Sequence, residues 1–117
     1  MRPYVSLRGR REFALAMRRG VISTSPSLTV YAFAPRSRSN ARPKVGIVVT
    51  RKIGKAVVRN RVRRRCKAIL QAMLTPDDPR WYVVACKPLA ATLPFAQLRR
   101  HLSAAIEKPA RAGKAPR

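Results

Sequence analysis

The side chains able to do acid–base or metal chemistry are few in this chain of 117 residues: four carboxylates (Glu12, Asp77, Asp78, Glu107), one histidine (His101) and two cysteines (Cys66, Cys86). A nuclease acting through its own side chains needs carboxylates to hold Mg²⁺, or a histidine pair for proton transfer. Asp77 and Asp78 are adjacent and bracketed by Pro76 and Pro79, a poor scaffold for metal ligands. No close Cys or His pair exists from which a zinc site could be built, and no Gly-rich phosphate loop ending in Lys-Ser/Thr is present. His101, beside Arg100, reads as a surface histidine, and the two cysteines as small buried hydrophobes in a reducing compartment. The chain has the inventory of a binder and not of a self-sufficient catalyst.

Positive charge is what it has in excess. Twenty-seven Lys and Arg against four acids give a net charge of +23. Nine of the seventeen residues from Arg51 to Lys67 are basic and none is acidic. A solvated helix normally interleaves Glu with its cations for i, i+4 support, so this stretch calls for an external supply of phosphate. An anionic membrane surface is the competing partner, but membrane-surface proteins pair a basic face with a large exposed apolar one. No window reaches the length of a membrane span, and the basic N-terminus has no apolar run behind it. The expected partner is nucleic acid, with no membrane, and the expected location is cytoplasmic.

The elements that must position these groups follow from periodicity. Residues 1–8 form a basic arm, irregular after Pro3, ahead of a domain over 9–108 and a basic disordered tail over 109–117. Arg10 to Arg19 reads as a helix with Phe13, Ala16 and Met17 on one side and Gly20 as its stop. Ser23 to Ser27 is a turn, Leu28 to Ala34 a strand, Pro35 to Pro43 a basic loop, and Lys44 to Thr50 a second strand. After Gly54 a long helix begins at about Ala56. Val58, Val62, Cys66, Ile69 and Met73 make its apolar stripe; Asn60, Arg63, Arg64 and Lys67 face away, with Arg59 and Arg65 on the flanks. Thr75 to Pro79 is a turn, Trp81 to Cys86 a third strand stopped by Lys87-Pro88. A last helix carries Phe95, Leu98, Leu102 and Ile106. The order is α-β-β-(β)-α-β-α, an α+β sandwich of helices on one sheet, with two or three early strands.

Helix-turn-helix, zinc-finger and basic-zipper signatures are absent. Tyr31 and Phe33 on one strand face, near Phe13, offer stacking surfaces of the kind that read RNA and single strands.

The run Lys44-Val45-Gly46-Ile47-Val48-Val49-Thr50-Arg51-Lys52-Ile53-Gly54, continuing through Arg59-Asn60-Arg61 to Arg64, closely resembles the signature of the protein subunit of bacterial ribonuclease P. The resemblance covers about residues 7 to 106. It implies a single α+β domain, α-β-β-β-α-β-α, like the second domain of ribosomal protein S5 and with a left-handed βαβ crossover, where the general rule favours the right-handed one. It implies a ribonucleoprotein endonuclease whose RNA is the catalyst. That RNA, with Mg²⁺ held mainly by the RNA and none by the protein alone, removes the 5′ leader from precursor tRNA. The implied partners are ribonuclease P RNA, one protein per RNA, and precursor tRNA.

By the same resemblance Arg59, Asn60, Arg61, Arg64 and Arg65 dock on the catalytic RNA, with Arg51, Lys52 and Lys55 nearby. Phe13, Met17, Tyr31 and Lys87 are assigned to a cleft for the leader. Met17 stands where many relatives have a second aromatic, and Cys86 where they commonly carry Arg. A structural ribosomal or chaperone-type RNA binder with no enzymatic partner is the alternative that composition alone leaves open.

Overall fold

Alternation along the strand Leu28–Phe33 divides the interior into two layers. Leu28, Val30 and Ala32 are buried on one side, while Thr29, Tyr31 and Phe33 are half-buried on the other. The computed structural model describes residues 2–35 and 42–107. In chain order these form β1 (Val5–Ser6), α1 (Gly9–Arg19), β2 (Val21–Thr24), β3 (Leu28–Phe33), β4 (Lys44–Val48), α2 (Ala56–Met73), β5 (Trp81–Cys86) and α3 (Phe95–Glu107), with 3-10 turns at Arg51–Ile53 and Pro88–Ala91. One five-stranded sheet runs β1-β4-β5-β3-β2. β1 with β4 and β4 with β5 are parallel; β5 with β3 and β3 with β2 are antiparallel.

The larger core lies between one sheet face and two helices. Leu28, Val30, Val45, Tyr82 and Val84 of the sheet meet Val62, Cys66, Ile69 and Leu70 of α2 and Leu98, Leu102 and Ile106 of α3. A smaller core lies on the opposite face, where α1 sets Ala16 and Phe13 against Val83, Tyr31, Phe33, Val48 and Trp81. The expected sandwich is therefore three-layered, with α1 alone on its side.

Three details differ from the sequence reading. The N-terminal arm is not irregular: Val5–Ser6 pairs with Lys44–Val45, and Tyr4 and Leu7 beside it are buried. A strand of two residues carries no periodicity to read. The turn expected at Ser23 to Ser27 is shorter, because Ser23 and Thr24 belong to β2, which settles the early strand count at three between α1 and α2. Leu70, left off the apolar stripe of α2, is fully buried. The basic loop residues Arg36, Arg38 and Asn40 and the 109–117 tail lie outside the described residues.

Local polar contacts hold the layers in place. Glu12 accepts from the Arg8 amide (2.6 Å), which gives α1 a start that no N-cap side chain supplies, and also from Lys44 Nζ (2.8 Å), which ties α1 to β4. Lys44 lies 5.0 Å over the Trp81 ring. Arg61 and Arg65 tie α2 to the segment before α3, donating to the carbonyls of Ala91 (3.2 Å) and Leu93 (2.7 Å). The thiols of Cys66 on α2 and Cys86 on β5 are free and 3.8 Å apart.

Asp78, in the turn after α2, accepts from Arg80 Nε (3.0 Å) and Nη2 (3.1 Å) and from the Tyr82 hydroxyl (2.8 Å). Burial raises the pKa of this carboxyl, but the bonds from Arg80 and Tyr82 outweigh it and hold it below the usual aspartate range. Tyr82 is fully buried at the centre of the larger core, so the turn is anchored there. A carboxyl held low in the fold adds stability above its unfolded value of 3.8 and loses it as pH falls through the folded value. Asp78→Asn is accordingly expected to lower unfolding stability at neutral pH by about 1–3 kcal/mol. The gap to wild type should start to narrow below the unfolded value and close as pH falls through the lower folded one, as read from denaturation midpoints over an acid pH series.

Candidate nucleic-acid interface

The outer face of α2 begins at a glycine that the chain requires. Gly54 has φ +148°, a conformation side-chain-bearing residues rarely adopt, and an added Cβ would press within 3.3 Å of Val58. This turn lets the strand end, the Arg51–Ile53 turn and α2 follow in close succession. Ile53 is buried while Arg51, Lys52 and Lys55 are exposed around it. Beyond them a shallow concavity of about 500 Å³ is lined by Val57, Asn60, Arg61, Arg63, Arg64 and Lys67. Val57 is 77% exposed within it, an apolar platform among cations. The Asn60 side-chain oxygen Oδ1 accepts from Arg63 Nη1 (3.3 Å).

The structure thus brings Asn60, Arg61 and Arg64 together as expected, with Arg51, Lys52 and Lys55 at the N-terminal approach. Arg65 stands on the flank, as the helical wheel has it, and there turns towards α3, its guanidinium 5.8 Å over Phe95 while it holds Leu93. Arg59 lies on the other flank, and its Nε is shut off from solvent with no partner. Arg63 and Lys67 line the concavity although they were not assigned a binding role. The helical wheel already put both on the outer face, and that was the available signal.

A second surface lies under α1. The Phe13 ring rests directly on Gly46 of β4, where any Cβ would overlap it. Glycine at this strand position is what allows helix and sheet to approach so closely. Tyr31 sits on the same face, half-buried, opposite Val83 on β5 and Ile22 on β2. Ile22 is 50% exposed and Met17 of α1 is 37% exposed. Phe13 and Tyr31 pack into the smaller core and Ile22 pairs with Tyr31, leaving apolar surface that α1 does not fully close, while Met17 stays partly exposed on α1. Lys87 stands past the end of β5, its Nζ donating to the Ser25 carbonyl (2.8 Å) at the β2–β3 turn. It is apart from Phe13, at the opposite end of β5 from Trp81.

Neither surface is a catalytic constellation. Among the described residues no three His, Cys, Asp or Glu side chains gather where a metal ion could be held. His101 Nδ1 is 2.6 Å from the hydroxyl of Ser27, which is fully buried and out of reach of a macromolecular substrate. Among the described residues no helix is long and apolar enough to cross a membrane. What the two surfaces can do is neutralise phosphates and stack on rings.

Known proteins share both the sequence and the fold. The family model for ribonuclease P matches residues 1–110. The chain is 36% identical over 111 residues to the ribonuclease P protein component of Streptomyces avermitilis, covering 87% of this chain and 89% of that one. It is 38% identical over 111 residues to that of Brucella melitensis, covering 86% and 76%. The solved RNase P protein from Thermotoga maritima superposes with a TM-score of 0.68 at 26% identity, over 83% of this chain and 90% of that one. The Staphylococcus aureus RNase P protein shares the fold alone, with a TM-score of 0.70 at 15% identity over 92% and 94%. The basic helix and the α1 cleft therefore stand on a chain that belongs to the family of bacterial ribonuclease P protein components.

Proposed function

We propose that the protein is the protein subunit of a ribonuclease P holoenzyme, binding a catalytic RNA and the 5′ leader of precursor tRNA while the RNA carries out the cleavage. The observation that carries this reading is the pairing of two unlike surfaces on one small domain. The acid-free outer face of α2, with Asn60, Arg61, Arg63 and Arg64, suits a folded RNA backbone. The cleft beside Phe13, Met17 and Tyr31, with Lys87 at its far end, suits an unpaired strand whose bases can stack. Arg51, Lys52 and Lys55 extend the first surface, and Arg59 and Arg65 flank it.

In this reading the subunit acts by electrostatics and positioning. A net charge of +23 offsets the repulsion between two polyanions, catalyst and substrate, and so raises substrate affinity and lowers the Mg²⁺ required. Mg²⁺ would be held by the RNA and would supply the charge stabilisation at the phosphate being hydrolysed. The protein's own residues hold the leader in line and the catalytic RNA against it, one protein per RNA, in the cytoplasm. A purely structural RNA binder would have use for the basic helix but not for a partly open aromatic surface on the opposite face of the sheet.

Cleavage of precursor tRNA by a bacterial ribonuclease P RNA at low Mg²⁺, with and without the protein, tests the reading directly. Leader release should depend on the RNA and rise strongly with the protein; stimulation no greater than that from an equal charge of polylysine would overturn it. Arg64→Ala is expected to leave thermal stability unchanged while weakening binding of the catalytic RNA and making its log–log salt slope shallower by about one. Arg65→Ala should also lower unfolding stability by about 1 kcal/mol, because it releases the Leu93 carbonyl and the Phe95 ring. Phe13→Ala should weaken binding of precursor tRNA by about 1–3 kcal/mol relative to mature tRNA. Equal losses for both tRNAs would confine Phe13 to packing on Gly46.

A further inference from the structure

The chain has two cysteines, and the fold brings them into contact although they lie 20 positions apart. Cys66 is on the inner face of α2, one turn beyond Val62, and is fully buried. Cys86 is the last residue of β5, partly exposed, and packs against the same core. Both thiols are free, with their sulfurs 3.8 Å apart. A disulfide needs about 2.0 Å, so the pair stands about 1.8 Å from covalent contact. Cys86 sits where the sheet thins: its register partner is Leu28 of β3, while β4 pairs with β5 only as far as Ala85. A side chain at such an end can turn about its Cα–Cβ bond to close the gap.

The two sulfurs differ in the way an oxidisable pair requires. The Cys66 thiol donates towards the Cys86 sulfur, and this bond holds the Cys86 thiol below its ordinary value despite burial, with the Arg63 charge acting in the same direction. The same bond, together with burial, pushes the Cys66 thiol up. Cys86 therefore carries the negative charge on the residue that meets solvent, and Cys66 is the sheltered neighbour. Oxidant-responsive cysteines combine an accessible, readily ionised thiol with a second one that resolves the product.

We propose that Cys66 and Cys86 form a reversible disulfide on exposure to hydrogen peroxide, locking α2 to β5. The Cys86 thiolate attacks one peroxide oxygen, the O–O bond breaks, and the hydroxide that leaves takes up a proton to become water. The Cys66 sulfur then attacks the sulfenic acid at Cys86. The S–S bond forms, the S–O bond breaks, and the hydroxyl leaves as water with the Cys66 proton. Two thiols lose two electrons and one peroxide becomes two waters; an added dithiol reverses the bond by exchange.

The lock bears on the charge carried by α2. From Arg51 to Lys67 nine cations stand without an acid, and in a chain with no polyanion bound their repulsion works against the apolar face that holds the helix on the sheet. A covalent tie at Cys66, in the middle of that face, keeps helix and sheet together. It takes nothing from Asn60, Arg63 or Arg64 on the outer side.

The test treats the reduced full chain, free of RNA, with hydrogen peroxide, and reads it by intact mass, non-reducing peptide mapping and thermal unfolding. The expected product is a monomer lighter by two hydrogen atoms, with Cys66 linked to Cys86. Its unfolding temperature should rise by about 10 °C, as closing a loop of this length implies for a small domain, and dithiothreitol should restore the reduced value. Amide hydrogen exchange should slow along α2 in the oxidised form. Cys66→Ala should leave Cys86 as a sulfenic acid that dimedone captures, and Cys86→Ala should leave Cys66 untouched by peroxide. Sulfinic acid at Cys86 beside a free Cys66 in the wild-type chain, or disulfide-linked dimers in place of the monomer, would overturn the pair, and that result needs no variant to fold. A Cys66–Cys86 bond that forms without raising the unfolding temperature or slowing exchange in α2 would overturn the lock.

Discussion

Like-charge repulsion along α2 is the constraint around which the rest of the domain is arranged. From Arg51 to Lys67 there is no acid to relieve nine cations, and each unfavourable i, i+4 pair costs about 0.2–0.5 kcal/mol. Burial on the other side of the helix is larger. Val62, Cys66, Ile69 and Leu70 are almost wholly withdrawn from water, and a fully buried aliphatic side chain contributes about 1.5–3 kcal/mol. The apolar face wins, so α2 can carry a concentrated positive surface that its own sequence would not sustain as an isolated helix. Arg65 lessens the crowding by turning to the Leu93 carbonyl before α3, and Arg61, while still lining the outer concavity with Asn60, Arg63, Arg64 and Lys67, donates to the Ala91 carbonyl.

The second consequence concerns the sheet. With α2 and α3 filling one face, α1 is the only helix on the opposite face among the described residues, and the pairing of Phe13 with Gly46 sets how closely it approaches. α1 is tied at the Lys44 end through Glu12, and the apolar surface around Tyr31, Ile22 and Met17 is left partly open. An aromatic wall on one face of the sheet and a cationic helix on the other put stacking and charge neutralisation on one small domain. Catalytic groups are not needed for that work.

Much of this was legible in the chain. The apolar stripe of α2 was readable because a helix repeats every 3.6 residues and leaves its period in Val58, Val62, Cys66 and Ile69. β3, β4 and β5 were readable because strands of five or six residues leave enough alternation. β1 and the end of β2 were not: two residues make no period, and Ser23-Thr24 has the composition of a turn until β3 pairs with it. That Arg63 and Lys67 border a second element was not legible for another reason. A wheel gives the face a side chain occupies but not the neighbour that borders it, here the N-terminal segment brought up by β1.

The sequence by itself determined the chemistry: a cation-rich, acid-poor chain with no metal ligands in register must bind an anion, and its central motif names the family. Charge and residue type are local properties, carried by each position wherever the chain goes. Only the tertiary structure decided how those charges are divided. It sent Arg61 and Arg65 to carbonyls before α3, put Phe13 over a glycine from another element, and buried Tyr4 of the N-terminal segment in the larger core. Each of these depends on residues far apart in the chain, which become neighbours only when the sheet order β1-β4-β5-β3-β2 is set.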